Sequence, residues 1–207
     1  MKQKKRVSAV LLVIFLTSLL MGSVIYGKSL RIKKAETVVN NYLKAAKKYK
    51  VGKMNKCFKV KSKVYVLETS QKMRKVYKNV NKKIKWKIIS TSGNKKECKI
   101  KVKVKFPDLY TVAYNASYNA YWYYVDHPNA TYEDMDNYYF VRYSKWYKDY
   151  KGKTKTKIIK FKLAKYDGKW KIEKATRAVI DIANARANEA EEKALKAYLK
   201  DSGNEYR

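Results

Sequence analysis

Residues 84–106, IKWKIISTSGNKKECKIKVKVKF, decide the fold. Ile84, Trp86 and Ile88 alternate with Lys85 and Lys87, SGN at 92–94 offers a turn, and Cys98, Ile100, Val102, Val104 and Phe106 then alternate with Lys99, Lys101, Lys103 and Lys105. A repeat of two is that of a strand whose successive side chains point to opposite faces. The stretch therefore predicts a hairpin with one apolar and one lysine face. A second hairpin is predicted from about Thr154 to Leu163, turning at Asp167 and Gly168 and returning through KWKIEK with Trp170 and Ile172 inward. If both hairpins join one sheet, Lys85, Lys87, Lys99, Lys101, Lys103, Lys105, Lys160, Lys162, Lys169 and Lys171 share its outer face.

Upstream, the period changes. Ala35, Val38, Val39, Tyr42, Leu43, Ala46 and Tyr49 recur at spacings of three and four and predict an amphipathic helix over residues 33–50. Residues 53–58 read as a short second helical turn, residues 60–67 as a brief extended stretch, and Met73, Val76, Tyr77 and Val80 as a third helix.

Between the hairpins lies an aromatic segment that includes YNASYNAYWYY at 114–124. At 100° per residue, Tyr110, Tyr114, Tyr118, Tyr121 and Val125 form one seam of a helix, and Leu109, Ala113, Ala116 and Ala120 form another. Pro128 breaks that helix, Thr131 is the expected N-cap of the next, and Tyr132, Met135, Tyr139, Tyr143, Trp146 and Tyr150 give the second helix a matching seam. The expectation is an antiparallel helical hairpin over 108–150 with its tyrosines packed between the helices and on the rest of the domain. Trp122 lies off both seams, beside Asn115 and Asn119, and is a candidate contact for a protein partner. An Ala-rich helix over 177–200 closes the chain.

Charge sets the function classes. The 207 residues carry 50 Lys and Arg against 17 Asp and Glu, a net charge of +33, which attracts polyanions and repels itself. The distribution is uneven: residues 28–107 hold 27 basic and 3 acidic side chains, residues 151–207 hold 16 and 8, and residues 108–150 hold 3 and 6. The aromatic segment is thus the acidic island, which argues against nucleic-acid bases stacking on it. Residues 1–27 begin with MKQKKR and continue as about 20 uncharged residues, long enough to span ~30 Å of hydrocarbon. They are read as an uncleaved membrane anchor through residues 7–26. The poor cleavage site after Gly27 disfavours a secreted form, and the lack of a Cys at the end of the apolar run excludes a lipid anchor. The expected orientation puts residues 28–207 outside the cell, as a cell-membrane protein with a single span.

Catalytic signatures are missing from the sequence. The only His, His127, falls in the DHPN turn, the inward strand positions are apolar or Cys, and no GxGxxG, HExxH or GxSxG motif occurs. Neither a catalytic residue, a metal site nor a cofactor is expected. Cys57 and Cys98 fit no zinc or redox spacing and are read as two buried free thiols. The sequons at Asn115 and Asn129 are taken as chance.

The order helix, helix, extended stretch, helix, hairpin, hairpin resembles the cystatin-like cone of the nuclear transport factor 2-like superfamily. KYDGKWKIEK at 165–174 looks like the closing strands of its extracytoplasmic members in Gram-positive bacteria, and VGKMNKCF at 51–58 is similar to their second helix. The resemblance covers about residues 33–175 and implies a cone-shaped α+β domain of antiparallel sheet packed on N-terminal helices; the hairpin insert at 108–150 departs from its minimal pattern. The expected chain is thus a transmembrane helix at 1–27, the cone-like domain at 28–175 and an added helix at 176–207. The resemblance also implies a choice among binding domains, scaffolds and isomerases, since fold alone does not set function. The expected function is a non-enzymatic envelope domain whose lysine face meets anionic wall polymers or lipid head groups. The alternatives are a scaffold subunit of a secretion or conjugation machine, and a small-ligand or isomerase-like cone. Two lysine faces would repel, so no dimer is expected through that face.

Overall fold

The computed structural model describes residues 32–59 and 71–203. The anchor expected at 1–27 and the extended stretch at 60–67 lie outside the described residues. Among the described residues, no helix is long and apolar enough to cross a membrane.

The fold is α+β, with a four-stranded antiparallel sheet and helices. Strands β1 (Lys85–Gly93), β2 (Glu97–Pro107), β3 (Thr154–Tyr166) and β4 (Lys169–Ile172) lie in the order β1-β2-β3-β4. On β2 burial alternates at every position from Glu97 to Phe106, with Ile100, Val102, Val104 and Phe106 fully buried and each lysine between them exposed. Asp167 and Gly168 turn β3 into β4 with φ of 49° and 73°, the two left-handed positions that a two-residue hairpin loop needs. β1 departs from simple alternation. Ile88 opposes Val102 and Ser90 opposes Lys101, so Ile89 is the extra residue of a bulge. Beyond the bulge the phase switches, and half-buried Thr91 faces the helices and donates a hydrogen bond to Glu36.

Helix α1, residues 32–47, lays its apolar stripe on the sheet's inner face. Tyr42 meets Phe58 and Phe161 edge-on, and its hydroxyl donates to Val179 O at 2.7 Å. The short α2 (Val51–Asn55) leads into Phe58, which bridges in parallel to Ile172 and covers the outer edge of β4. α3 (Gln71–Val80) runs into a 3-10 turn at Asn81–Lys83. Asn81 there donates from Nδ2 to the carbonyls of Ala46 and Ala183, tying α1 to the C-terminal helices. Cys57 and Cys98 are buried free thiols, as expected, and burial raises the pKa of each above its ordinary value.

The hairpin insert forms as α4 (Tyr110–Asp126) and α5 (Tyr132–Lys148), with Thr131 capping α5 in a reciprocal box with Asp134. Its packing differs from expectation. The C-terminal helix is broken into α6 (Arg177–Asn184) and α7 (Ala187–Asp201), with Ala185 and Arg186 between them in the left-handed region, at φ of 53° and 69°. α7 is a main partner of α4, because Ala113, Ala116 and Ala120 meet a helix whose Ala187, Ala190 and Ala194 are also buried. Alanine on both sides lets the two backbones approach closely. The tyrosine seam of α4 then flanks that contact rather than filling the hairpin. Tyr110, Tyr114 and Tyr118 stack on one another at 6.1 Å, and the Tyr118 hydroxyl donates to Asp201 of α7. On α5, Tyr143 is fully buried, whereas Tyr132 and Trp146 of the expected seam are exposed.

Candidate polyanion-binding face

Strand register builds the outer face row by row. Lys85 lies opposite Lys105 and Lys87 opposite Lys103 on β1 and β2, while Lys101 lies opposite Lys160 and Lys99 opposite Lys162 on β2 and β3. Each of these four rows holds two directly paired lysines. Same-face rows stand about 6.7 Å apart and neighbouring strands about 4.8 Å, so the eight ammonium groups rise from a grid about 20 Å long. All eight residues are exposed, and among the described residues none enters an ion pair. Like charges directly opposite each other disfavour a sheet. Ser90, Ser92, Thr156 and Ile158 complete the rows across β1, β2 and β3, so none of these three strands supplies a carboxylate to them. The nearest acids stand at one end of the grid, where the Glu173 amide donates to the carbonyl of Lys162 in the last row, and Glu97 borders the same hollow with Lys99 and Lys162.

The register keeps the remaining two predicted lysines on the same side of the sheet, at its β4 edge, with Lys171 opposite Ala164. Lys169 lies opposite Tyr166 at the hairpin end of β4, and half-buried Lys171 donates from Nζ to the carbonyl of Lys56. Both line a cleft between the edge strand and α1 and α2. Trp122 is half-buried. It meets Tyr198 of α7 edge-on at 5.3 Å and Tyr118 at 6.4 Å, so much of its ring is already engaged within the chain.

Two carboxyl groups that sit on helices escape a reading of the inward strand positions. Asp181 on α6 is 1% exposed, and burial raises its pKa to about 6 although Lys157 stands 3.8 Å away. Glu191 on α7 accepts a hydrogen bond from Tyr139 at 3.3 Å, and burial lifts its pKa to about 7. Neither looked unusual in an Ala- and Glu-rich helical run, where acids ordinarily face water. Beside them, Arg186 clamps Asp108 at 2.8 Å and Glu189 at 2.8 Å. That grip lowers the Glu189 pKa to about 2. The inner face of the sheet is filled by Ile100, Val102, Phe161 and Trp170, and the indole of Trp86 donates to Asn40.

No protein-family model matches the sequence, and no curated protein matches it. Among solved structures, the chain is similar to a candidate lipoprotein (ycdA) from Bacillus subtilis, at 18% identity over 72% of this chain and 46% of that one, with a TM-score of 0.34. The chain thus spans about half the length of that protein, and a likeness of this size carries no argument about shape or location.

Proposed function

We propose that the chain is a membrane-anchored, extracytoplasmic binding or scaffold domain of cone-like fold, held against anionic envelope polymers or lipid head groups by the lysine face of its sheet. The observation that carries the reading is the pairing of eight exposed lysines in four cross-strand rows of β1, β2 and β3 that hold no acid on those strands. Such rows are unfavourable in the free protein, and a polyanion laid across them removes the repulsion. Each lysine near an anionic surface contributes about 1 kcal/mol within a Debye length of ~8 Å. Binding to teichoic acid or to vesicles rich in anionic lipid should therefore weaken steeply as salt rises. Replacing Lys99, Lys101, Lys103 and Lys105 by Gln should remove most of it, and unchanged affinity would rule the face out.

A second reading, a scaffold subunit of a secretion or conjugation machine, is favoured by apolar side chains exposed on α5. Tyr132 is 87% exposed and Val141 64%, and either could meet a protein partner. An isomerase-like or small-ligand cone would need a polar cavity over the inner face, where Ile100, Val102, Phe161 and Trp170 now pack.

A further inference from the structure

A second basic feature differs in kind from the flat sheet face. The cleft between α1, α2 and β4 has a volume of about 660 Å³, within the ~300–1,000 Å³ of typical ligand sites. Lys47 and Lys48 follow Lys44 by three and four residues on its α1 wall, and Lys53 and Lys56 line it from the α2 side. Lys169 and Lys171 close it from the edge strand. No carboxylate lines it. The one acid within residues 32–59, Glu36, is bonded to Thr91 of β1, at the opposite edge of the sheet.

The same cleft has an apolar wall made of half-exposed Val38, buried Ala45 and the indole of Trp170. Two requirements meet there. Several lysines around one cleft with no acid among them favour an anion there, and an apolar wall is better covered by hydrocarbon than by water. A bare inorganic anion would satisfy only the first and fill a small part of the volume. Lys171 is already held by the Lys56 carbonyl, which fixes one ammonium at the rim with two N–H donors left to offer.

We propose that this cleft binds a phosphate-bearing amphiphile, with the phosphate among the lysines of α1 and α2 and the aliphatic chain along Val38, Ala45 and Trp170. It adjoins the sheet face at the β4 edge but uses none of the eight paired lysines, and different substitutions test it. Calorimetric titration of the full chain with octyl phosphate, below its micelle concentration, should give an affinity at least about tenfold above that for inorganic phosphate. The triple variant Lys44→Gln, Lys48→Gln, Lys53→Gln should lose at least about tenfold for octyl phosphate. Val38→Ser should weaken octyl phosphate but leave inorganic phosphate unchanged, and the quadruple Gln variant of the sheet face should bind octyl phosphate as the parent does. Equal affinity for the two probes would reduce the cleft to a plain anion site and overturn the proposal. So would octyl phosphate binding that persists in the triple variant, or no binding at all.

Discussion

Glu191 is the residue whose ionisation the fold opposes most plainly. Its carboxyl lies among Tyr77 of α3, Tyr121 of α4 and Tyr139 and Tyr143 of α5, and one hydrogen bond from Tyr139 does not replace the water it has lost. The pKa rises from 4.5 to about 7. Between these values the unfolded chain has released its proton and the folded chain has kept it, so stability falls as pH rises through that window. It levels off above about pH 7, after a loss of up to about 3 kcal/mol. Asp181, raised from 3.8 to about 6, adds a loss of the same sign over a lower window. Glu191→Gln keeps the acceptor for Tyr139 without the charge. Denaturant melts should find this variant close to the parent near pH 5 and more stable by about 2 to 3 kcal/mol at pH 8. A pH profile parallel to that of the parent would assign the titration to another group.

At the scale of the element, the corner between α6 and α7 is the feature that the sequence conceals. Neither Gly nor Pro stands at residues 184–187, and the Ala-rich run reads as one helix. The left-handed backbone costs a residue with a Cβ about 1–2 kcal/mol, and the compensation comes from far along the chain. Arg186 reaches Asp108, 78 residues away, and the Leu109 amide donates to the Ala185 carbonyl. A break set by tertiary partners leaves no local mark. Arg186→Ala should therefore cost about 2 to 4 kcal/mol, since Asp108 and Glu189 lose a largely buried partner. Thermal melts would measure it, and a change below about 0.5 kcal/mol would mean that the corner is held by backbone contacts alone. The hairpins were legible for the opposite reason. Their period of two and the Asp167-Gly168 pair are local properties, and only the bulge at Ile89, which follows from register with β2, escaped the pattern.

For the whole molecule, charge is the dominant quantity. A net charge of +33 with six ion pairs among the described residues makes self-repulsion larger than pairing. Raising NaCl from about 0.05 M to about 0.5 M shortens the Debye length by about threefold. The melting temperature should rise accordingly, and a fall would show that the Arg186 and Lys157 pairs outweigh the lysine rows. The candidate sites were unequally legible at this scale. Eight face lysines could be read because their alternation with core residues fixes their side of the sheet. The cleft could not, because Lys44, Lys48 and Lys53 look like solvated helix positions until Lys169 and Lys171 arrive from a strand more than a hundred residues on.

The strict alternation on β2 also guards the assembly of the sheet. If β2 paired one residue out of step, Lys99, Lys101, Lys103 and Lys105 would point into the core, and Ile100, Val102, Val104 and Phe106 into water. Mispaired sheets of this chain are therefore too unstable to persist, and the lysines that repel one another across the finished face act during folding as a proofreading device for its register.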